Sequence, residues 1–175
     1  RIWYSCADSP MPDVAVERTL PHSLDAEKSV LGAVLIHNEA FNHAAEHIDA
    51  RDFFRDAHRR IFNSMVVLSE RNDPIDFVTL REELSRTGQL DEVGGPAYIA
   101  SLADGVPRSA NVEYYARIVK EKSTLRNLIH SANKILTEAY EAEQEPDLLL
   151  DEAERAIFAI AEDRIRAGFV PLRDL

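Results

Sequence analysis

Two histidines and a glutamate at helical spacing form the motif in this sequence that could do chemistry on its own. His43, Glu46 and His47 fit the H-x-x-E-H pattern of inverted zinc peptidases. Histidines four residues apart share one side of a helix and could bind zinc together, with the glutamate as general base. A zinc hydrolase is therefore one hypothesis, which a measurement of metal content would test.

The apolar residues around this motif argue against a zinc site. At 100° per residue, they fall on one side of the helix and the motif falls on the other. Catalytic zinc needs a third ligand and a dry, shaped cavity, whereas the motif should face water. We interpret it as a solvated helix face with ordinary surface histidines, and we predict no metal site. The apolar residues are Phe41, Ala44, Ala45 and Ile48.

A nucleotide-binding loop does not occur in the sequence. The pattern G-x-x-x-x-G-K-[ST], which holds phosphates with backbone N–H groups and a lysine, is absent, as is the nucleophile motif G-x-S-x-G. The glycine pair Gly94-Gly95 has no lysine after it and predicts a turn before a helix that begins with Pro96. We predict no catalytic residue, no cofactor site and no enzymatic activity in this chain.

The charge of the chain favours protein partners over nucleic acid. Its 175 residues include 31 acidic residues and 20 Lys or Arg, a net charge of −11. Affinity for DNA comes largely from Lys and Arg neutralising phosphates, so we expect little DNA binding from this chain alone. We interpret Arg59-Arg60 and Lys120 as solvated helix faces or rim salt bridges. Residues 151–154 and Glu162-Asp163 are interpreted as an exposed acidic face or as partners of basic residues on a neighbouring subunit.

The use of cysteine and apolar residues indicates the compartment. Cys6 is the only cysteine, so no intramolecular disulfide and no cysteine zinc cluster can form, which favours a reducing environment. No apolar run approaches the roughly 20 residues of a membrane-spanning helix. We see no secretory signal at the N-terminus. We predict a cytoplasmic protein with no membrane contact.

Residues 21–108 predict a small globular head made of helices. Helix-start signals recur along this region, and apolar residues follow them at helical spacing. Gly88 is placed for a left-handed helix end, and Gly105-Val106-Pro107 should break the last helix. The predicted starts are at Ser23, Asn38, Asp56, Asp76 and Pro96.

Residues 109–165 predict a long antiparallel helical hairpin. From Ser109 or Asn111 the apolar residues keep a helical period for about thirty residues, far longer than an average helix. Residues 143–146 interrupt the pattern, and a second helix follows after a connection short enough to make the pair antiparallel. The predicted fold class is all-α: a small globular helical head followed by this hairpin.

The hairpin has more apolar surface than two helices can bury against each other. One hypothesis is that the remaining stripe packs against another subunit. The other is that the hairpin folds back on the head and completes a monomeric bundle, and periodicity alone does not separate the two. We assign the apolar surface within and between hairpins to Val119, Leu128, Ile129, Leu150, Ala153, Ile157 and Ile160.

The two ends of the sequence differ from the rest. Residues 1–20 predict a disordered tail, in which residues 1–10 are either a non-native extension ahead of Met11 or a genuine flexible segment. Residues 166–175 contain a new apolar segment, FVPL, that stops close to Leu175. We expect this segment to open a linker to a further domain.

An ordered series of short motifs resembles the N-terminal region of bacterial replicative DNA helicases of the DnaB type. The resemblance covers residues 20–175, and the order of the motifs carries it rather than any single tetrapeptide. The matching segments are PHSLDAE (21–27), SVLG (29–32), DFF (52–54), HRRIF (58–62), PID (74–76), TL (79–80), GG (94–95), Tyr98, Leu102, Asn111, YA (115–116), IV (118–119), LR (125–126), DEAE (151–154), IF (157–158) and FVPL (169–172).

The resemblance implies partners as well as a fold. In that family, hairpins of adjacent subunits pair, and the heads form a collar of three dimers on a hexameric ring. The collar is the platform for primase, and helicase-loading proteins act on the ring. ATP and Mg²⁺ serve a RecA-like motor domain that would follow Leu175, and DNA is contacted only through the full ring.

These implications favour an oligomerisation and docking module of a hexameric replicative helicase, whose parent would be an ATP-dependent DNA helicase. The alternative is a stand-alone helical adaptor or regulatory protein without a motor domain. A gene that continues past Leu175 into a nucleotide-binding loop would distinguish the first hypothesis from the second.

Overall fold

The computed structural model describes residues 19–104 and 111–166, which form helices and no strand. The all-α prediction is therefore confirmed. The elements are α1 (Leu24–Ile36), α2 (Ala40–Ala45), a 3₁₀ turn (Ala50–Asp52), α3 (Asp56–Glu70), α4 (Phe77–Arg86), α5 (Gly95–Asp104), α6 (Val112–Glu141) and α7 (Pro146–Arg166).

The first helix lies at the centre of the head. It contacts α2, α3, α5 and α6, and Val30, Leu31 and Val34 are fully buried. A helix covered by neighbours on several sides must be apolar around much of its circumference, which is what the segment SVLGAVLI provides. Phe53 and Phe62 fill the space beneath it, with their ring centroids 5.0 Å apart.

Several helix boundaries follow from local capping chemistry, which the sequence predicts for Ser23. The side chains of Ser23, Asp76 and Asn111 each accept a hydrogen bond from a backbone N–H in the first turn of α1, α4 and α6. At α4 the bond is reciprocated, because the Asp76 N–H donates to Thr79 Oγ1 at 3.0 Å. Gly88 adopts the expected left-handed conformation, with φ 69°.

Other predicted boundaries are wrong. Asn38 does not cap α2; its Oδ1 accepts the N–H of Ile75 at 3.0 Å, a contact that only the tertiary fold creates. Asp56 is the first residue of α3 rather than its cap, and its carboxylate accepts a hydrogen bond from Arg60. α5 begins at Gly95, one residue before Pro96. The predicted break at residues 105–107 lies outside the described residues.

The hairpin grows directly out of the head. α6 has 30 residues, so it is about 45 Å long. Its N-terminal part packs on α1 and places Val112, Ala116 and Val119 in the head core. Ala142 ends the helix in a left-handed conformation, and α7 returns along α6. No helix in the described ranges is long and apolar enough to span a membrane.

Candidate functional site

One side of α7 exposes a continuous apolar surface. Leu150 is 67% exposed, Ile157 43% and Phe158 62%. These residues line a shallow groove together with Ala153, Ala161 and the acidic Asp151 and Glu154. We call the surface formed by Leu150, Ala153, Ile157, Phe158 and Ala161 the α7 apolar face. A protomer that leaves such a face to water has not buried all of its apolar surface.

A second apolar stripe runs along the outer part of α6. At 100° per residue, Leu125, Ile129 and Leu136 fall within about 40° of one another, on a different side of α6 from Val119. All three are more than a third exposed. Tyr140 continues the stripe towards the hairpin loop and is mostly exposed. The hairpin therefore leaves apolar residues of both helices uncovered.

The predicted interface residues fall into different environments. Leu128, Ile129, Leu150 and Ile157 are exposed on the hairpin. Ala153 and Ile160 are half-buried, and Ile160 lines the cleft between α6 and α7. Contact between hairpins of two protomers stays a prediction.

Val119 does not belong to that surface. It is 2% exposed in the head core, because this part of α6 packs against α1 rather than projecting beyond the head. Assigning Val119 to an interface between protomers is therefore wrong.

Sequence reasoning missed several exposed apolar residues of the hairpin. Leu125, Leu136, Tyr140, Leu148 and Phe158 are each exposed by more than two fifths. Periodicity identified the helices, but the assignment of faces needed the angular position of each residue on its own helix. The sequence contained this angular signal for Phe158. At 100° per residue, Phe158 lies about 100° from Ile157 and about 40° from the charged Glu162, which indicates the solvent side of the helix.

A buried polar cluster connects three helices of the head. Glu27 on α1 is 1% exposed and His58 on α3 is fully buried. Glu27 Oε1 accepts the Phe54 N–H at 2.6 Å, and its Oε2 accepts the Arg55 N–H at 3.4 Å. The same Oε2 lies 2.6 Å from His58 Nδ1, and His58 Nε2 lies 2.7 Å from the Tyr98 hydroxyl on α5.

The acceptors in this cluster determine where its hydrogens lie. The Glu27 carboxylate accepts, so His58 Nδ1 carries the hydrogen and donates it. His58 Nε2 and the Tyr98 hydroxyl form the second hydrogen bond of the ring, at 2.7 Å. Arg55 donates to the Tyr98 oxygen at 3.0 Å. Burial raises the pKa of the Tyr98 hydroxyl.

Two basic residues of α6 bind the 3₁₀ turn. Arg126, which is 5% exposed, donates to the backbone oxygens of Pro21 and Asp52. Lys120 Nζ lies 3.2 Å from Asp52 Oδ2 and 2.7 Å from Asp163 Oδ2. Burial disfavours the charge on Lys120, but its hydrogen bond to Asp163 and the charge of Asp52 outweigh that effect and raise its pKa. Lys120 is not a solvated residue, since its side chain is 12% exposed. The salt bridges that its interpretation offered as the alternative are present, and they lie within the protomer.

Gly94 allows α5 to approach closely enough to place Tyr98 in the buried cluster. Its φ is +103°, and a Cβ at this position would lie 3.0 Å from the Cβ of Tyr98. We expect Gly94→Ala to lower the free energy of unfolding by about 1–3 kcal/mol, measured by urea titration. Gly88→Ala is the control, because Gly88 also has positive φ but nothing lies within 4 Å of an added Cβ. Equal losses in the two variants would show that the approach to Tyr98 has no energetic consequence.

The residues of the possible zinc motif do not share a helix. α2 ends at Ala45, so Glu46 and His47 follow it. His43 Nδ1 lies 3.4 Å from Glu113 Oε1 on α6. Across residues 19–104 and 111–166, no three His, Cys, Asp or Glu side chains lie close enough together to hold a metal ion.

The head and hairpin geometry is shared with known proteins. Residues 19–121 match the family described as "DnaB-like helicase N terminal domain", which is more than half of the chain. This chain belongs to that family. The family resemblance noted in the sequence is thus confirmed, and the all-helical head with its hairpin is the fold of a DnaB-like N-terminal domain.

Curated relatives of this DnaB-like domain are longer proteins. The chain is 44% identical over 165 residues to the replicative DNA helicase DnaB of Geobacillus stearothermophilus, covering 94% of this chain and 36% of that protein. The chain thus spans about a third of the length of the curated relatives that it matches.

Solved structures share the fold. The N-terminal domain of DnaB helicase from Mycobacterium tuberculosis has a TM-score of 0.77 and 34% identity, covering 81% of this chain and 99% of that one. A DnaB-like replicative helicase, solved in a study of its interactions with primase, has a TM-score of 0.65 and 23% identity, covering 81% of this chain and 31% of that one. At that identity, the second comparison supports the fold alone.

Proposed function

We propose that this chain is the N-terminal collar and docking domain of a hexameric replicative DNA helicase, and that it mediates self-association and primase binding during DNA replication. The observation that carries the proposal is the α7 apolar face, exposed on a hairpin whose family is that of replicative helicase N-terminal domains. In this account the heads provide a rigid scaffold and the hairpins provide the contacts between subunits.

The chemistry of the α7 apolar face suits a contact between identical subunits. The groove is lined mainly by apolar side chains, including Ile157 and Phe158, with the acidic Asp151 and Glu154 among them, and apolar residues of this kind are enriched in the cores of protein interfaces. Burial contributes roughly 25 cal/mol per Å² of apolar surface. Association costs several kcal/mol in lost freedom of motion, about 4–15 kcal/mol. We therefore expect the isolated chain to form dimers weakly, and the hexamer to require the rest of the parent protein.

Primase is the partner that we assign to the assembled collar. The DnaB-like helicase whose structure shares this fold was solved in a study of its interactions with primase, and a chain with a net charge of −11 is better suited to protein than to DNA contacts. We assign ATP and Mg²⁺ use and strand unwinding to the parent's motor domain in the cytoplasm. DNA would be contacted through the full ring, on which a helicase loader would also act.

A titration with primase tests this function. The C-terminal domain of the cognate primase is added to this chain while light scattering reports the molar mass, and the intact helicase is titrated in parallel as a reference. We expect a complex at concentrations at which the chain self-associates, since the collar presents the docking surface. Failure of this chain to bind under conditions in which the intact helicase binds primase would contradict the docking role.

A further inference from the structure

α7 is joined to the rest of the protomer by few polar contacts. Within residues 146–163, the bond between Asp163 and Lys120 is the single side-chain hydrogen bond that connects this helix to another element. The remaining attachment is packing against α6. Near the 3₁₀ turn this packing is incomplete, because a cleft of about 530 Å³ separates the two helices there. Ser123, Asn127 and His130 line it from α6, and Ala156, Ala159 and Ile160 from α7.

The other end of this connection is anchored firmly in the head. Asp52 is 3% exposed, and its Oδ2 also accepts the Asp49 N–H at 2.9 Å. Its backbone oxygen accepts a hydrogen bond from the buried Arg126. Lys120 therefore links a rigid carboxylate of the head to a half-exposed carboxylate near the end of α7. A half-buried ammonium between two carboxylates, of which Asp52 is buried, holds both more strongly than a fully exposed pair would.

We propose that Lys120 is a positioning residue: by binding Asp52 and Asp163 together it ties the end of α7 to the head and holds the α7 apolar face in the orientation that self-association requires. This inference rests on the proposed function, because it assigns the tie a role in contact between subunits. The contact of Lys120 with Asp52 and Asp163, which we call the tie, lies within a single protomer. Neither Lys120 nor Asp163 belongs to the α7 apolar face, so an effect of either residue on association would be indirect.

Because Asp163 lies in the last turn of α7, its replacement by alanine should have opposite effects on the stability of this helix with and without the tie. An acidic side chain in the last turn of a helix is disfavoured by the helix dipole, so replacing it with alanine should stabilise an untied α7. If the tie holds α7, the same replacement should loosen the helix instead. Glu162 is the matched control, since it is an exposed carboxylate on the same turn that forms no ion pair with any side chain described up to residue 163.

Hydrogen exchange in this chain measures the tie directly. We expect Asp163→Ala to speed amide exchange in residues 156–166 by about three-fold to ten-fold, without changing exchange in α1 and α3, while Glu162→Ala leaves it unchanged or slows it. Lys120→Met should have the same effect on α7, and the double variant should add little, because both changes remove one interaction. Equal exchange in Asp163→Ala and Glu162→Ala would overturn the tie.

Sedimentation of the same variants tests the role in association. We expect Asp163→Ala to weaken self-association at least three-fold relative to Glu162→Ala. If exchange in α7 rises while association stays the same, the tie exists but does not position the face, and the inference is wrong. If wild-type chains do not associate at all, the proposed function fails, whereas the exchange comparison still reports on the tie.

Discussion

Replacing Glu27 with alanine is expected to lower the free energy of unfolding by about 3–5 kcal/mol, because several donors lose their acceptor at a cost of about 1–3 kcal/mol each. The Glu27 carboxylate accepts from the N–H groups of Phe54 and Arg55 and from His58 Nδ1. Its loss would leave these donors unsatisfied in a site where Glu27 and His58 are almost completely buried. Urea unfolding followed by circular dichroism gives the free energy.

Two further variants show whether this loss comes from the buried cluster. Asp25→Ala removes an exposed carboxylate from the same first turn of α1 and should cost less than about 1 kcal/mol, the value of a charge near a helix N-terminus. Glu27→Gln keeps the shape but places an amide N–H₂ where a donor already points, so we expect an intermediate loss. A cost for Glu27→Ala no larger than that for Asp25→Ala would show that the cluster does not hold the head together.

Ile157→Asp is expected to weaken self-association by more than about ten-fold, which corresponds to 1.4 kcal/mol or more. The side chain lies at the centre of the α7 apolar face and is 43% exposed in the protomer. A carboxylate there would lose its hydration when a second copy covers the face, without a partner to replace the water. Leu128→Asp on α6 should act in the same direction. Sedimentation velocity over a concentration series measures the change.

A larger change of charge elsewhere on α7 controls for electrostatic repulsion between acidic chains. Arg155→Asp alters the net charge by two units, against one unit for Ile157→Asp, but Arg155 lies about 160° away from Ile157 around the helix. We expect it to weaken association less. A folded Ile157→Asp variant that sediments like wild type at every concentration would remove Ile157 from the interface.

Local chemistry made the helices of this fold predictable. Ser23, Asp76 and Asn111 cap helices with their own side chains, so the signal and the structure lie within a few residues of each other. The hairpin was also predictable, because apolar residues that keep a helical period for thirty residues, as in α6, are compatible with few structures other than a long helix. Asn38 shows the limit: its side chain bonds to Ile75, a partner that no local pattern indicates.

The buried polar cluster and the role of Lys120 could not be predicted, because their partners are distant in sequence. Glu27 and His58 are 31 residues apart, and His58 and Tyr98 are 40 apart. A glutamate in the first turn of a helix reads as a favourable surface charge until the fold brings a histidine to it. The assignment of Val119 to the interface was wrong for a related reason. α6 is part of the core near the head and is exposed beyond it, and the apolar period does not show where the change occurs.

The concentration dependence of the molar mass of the wild-type chain tests the central claim most directly, namely that a second copy covers the apolar face of the hairpin. Static light scattering should give a value that rises from 19.7 kDa at low concentration towards twice that mass. The rise should be absent in Ile157→Asp and present in Arg155→Asp. A constant monomer mass up to the highest soluble concentration would contradict the account.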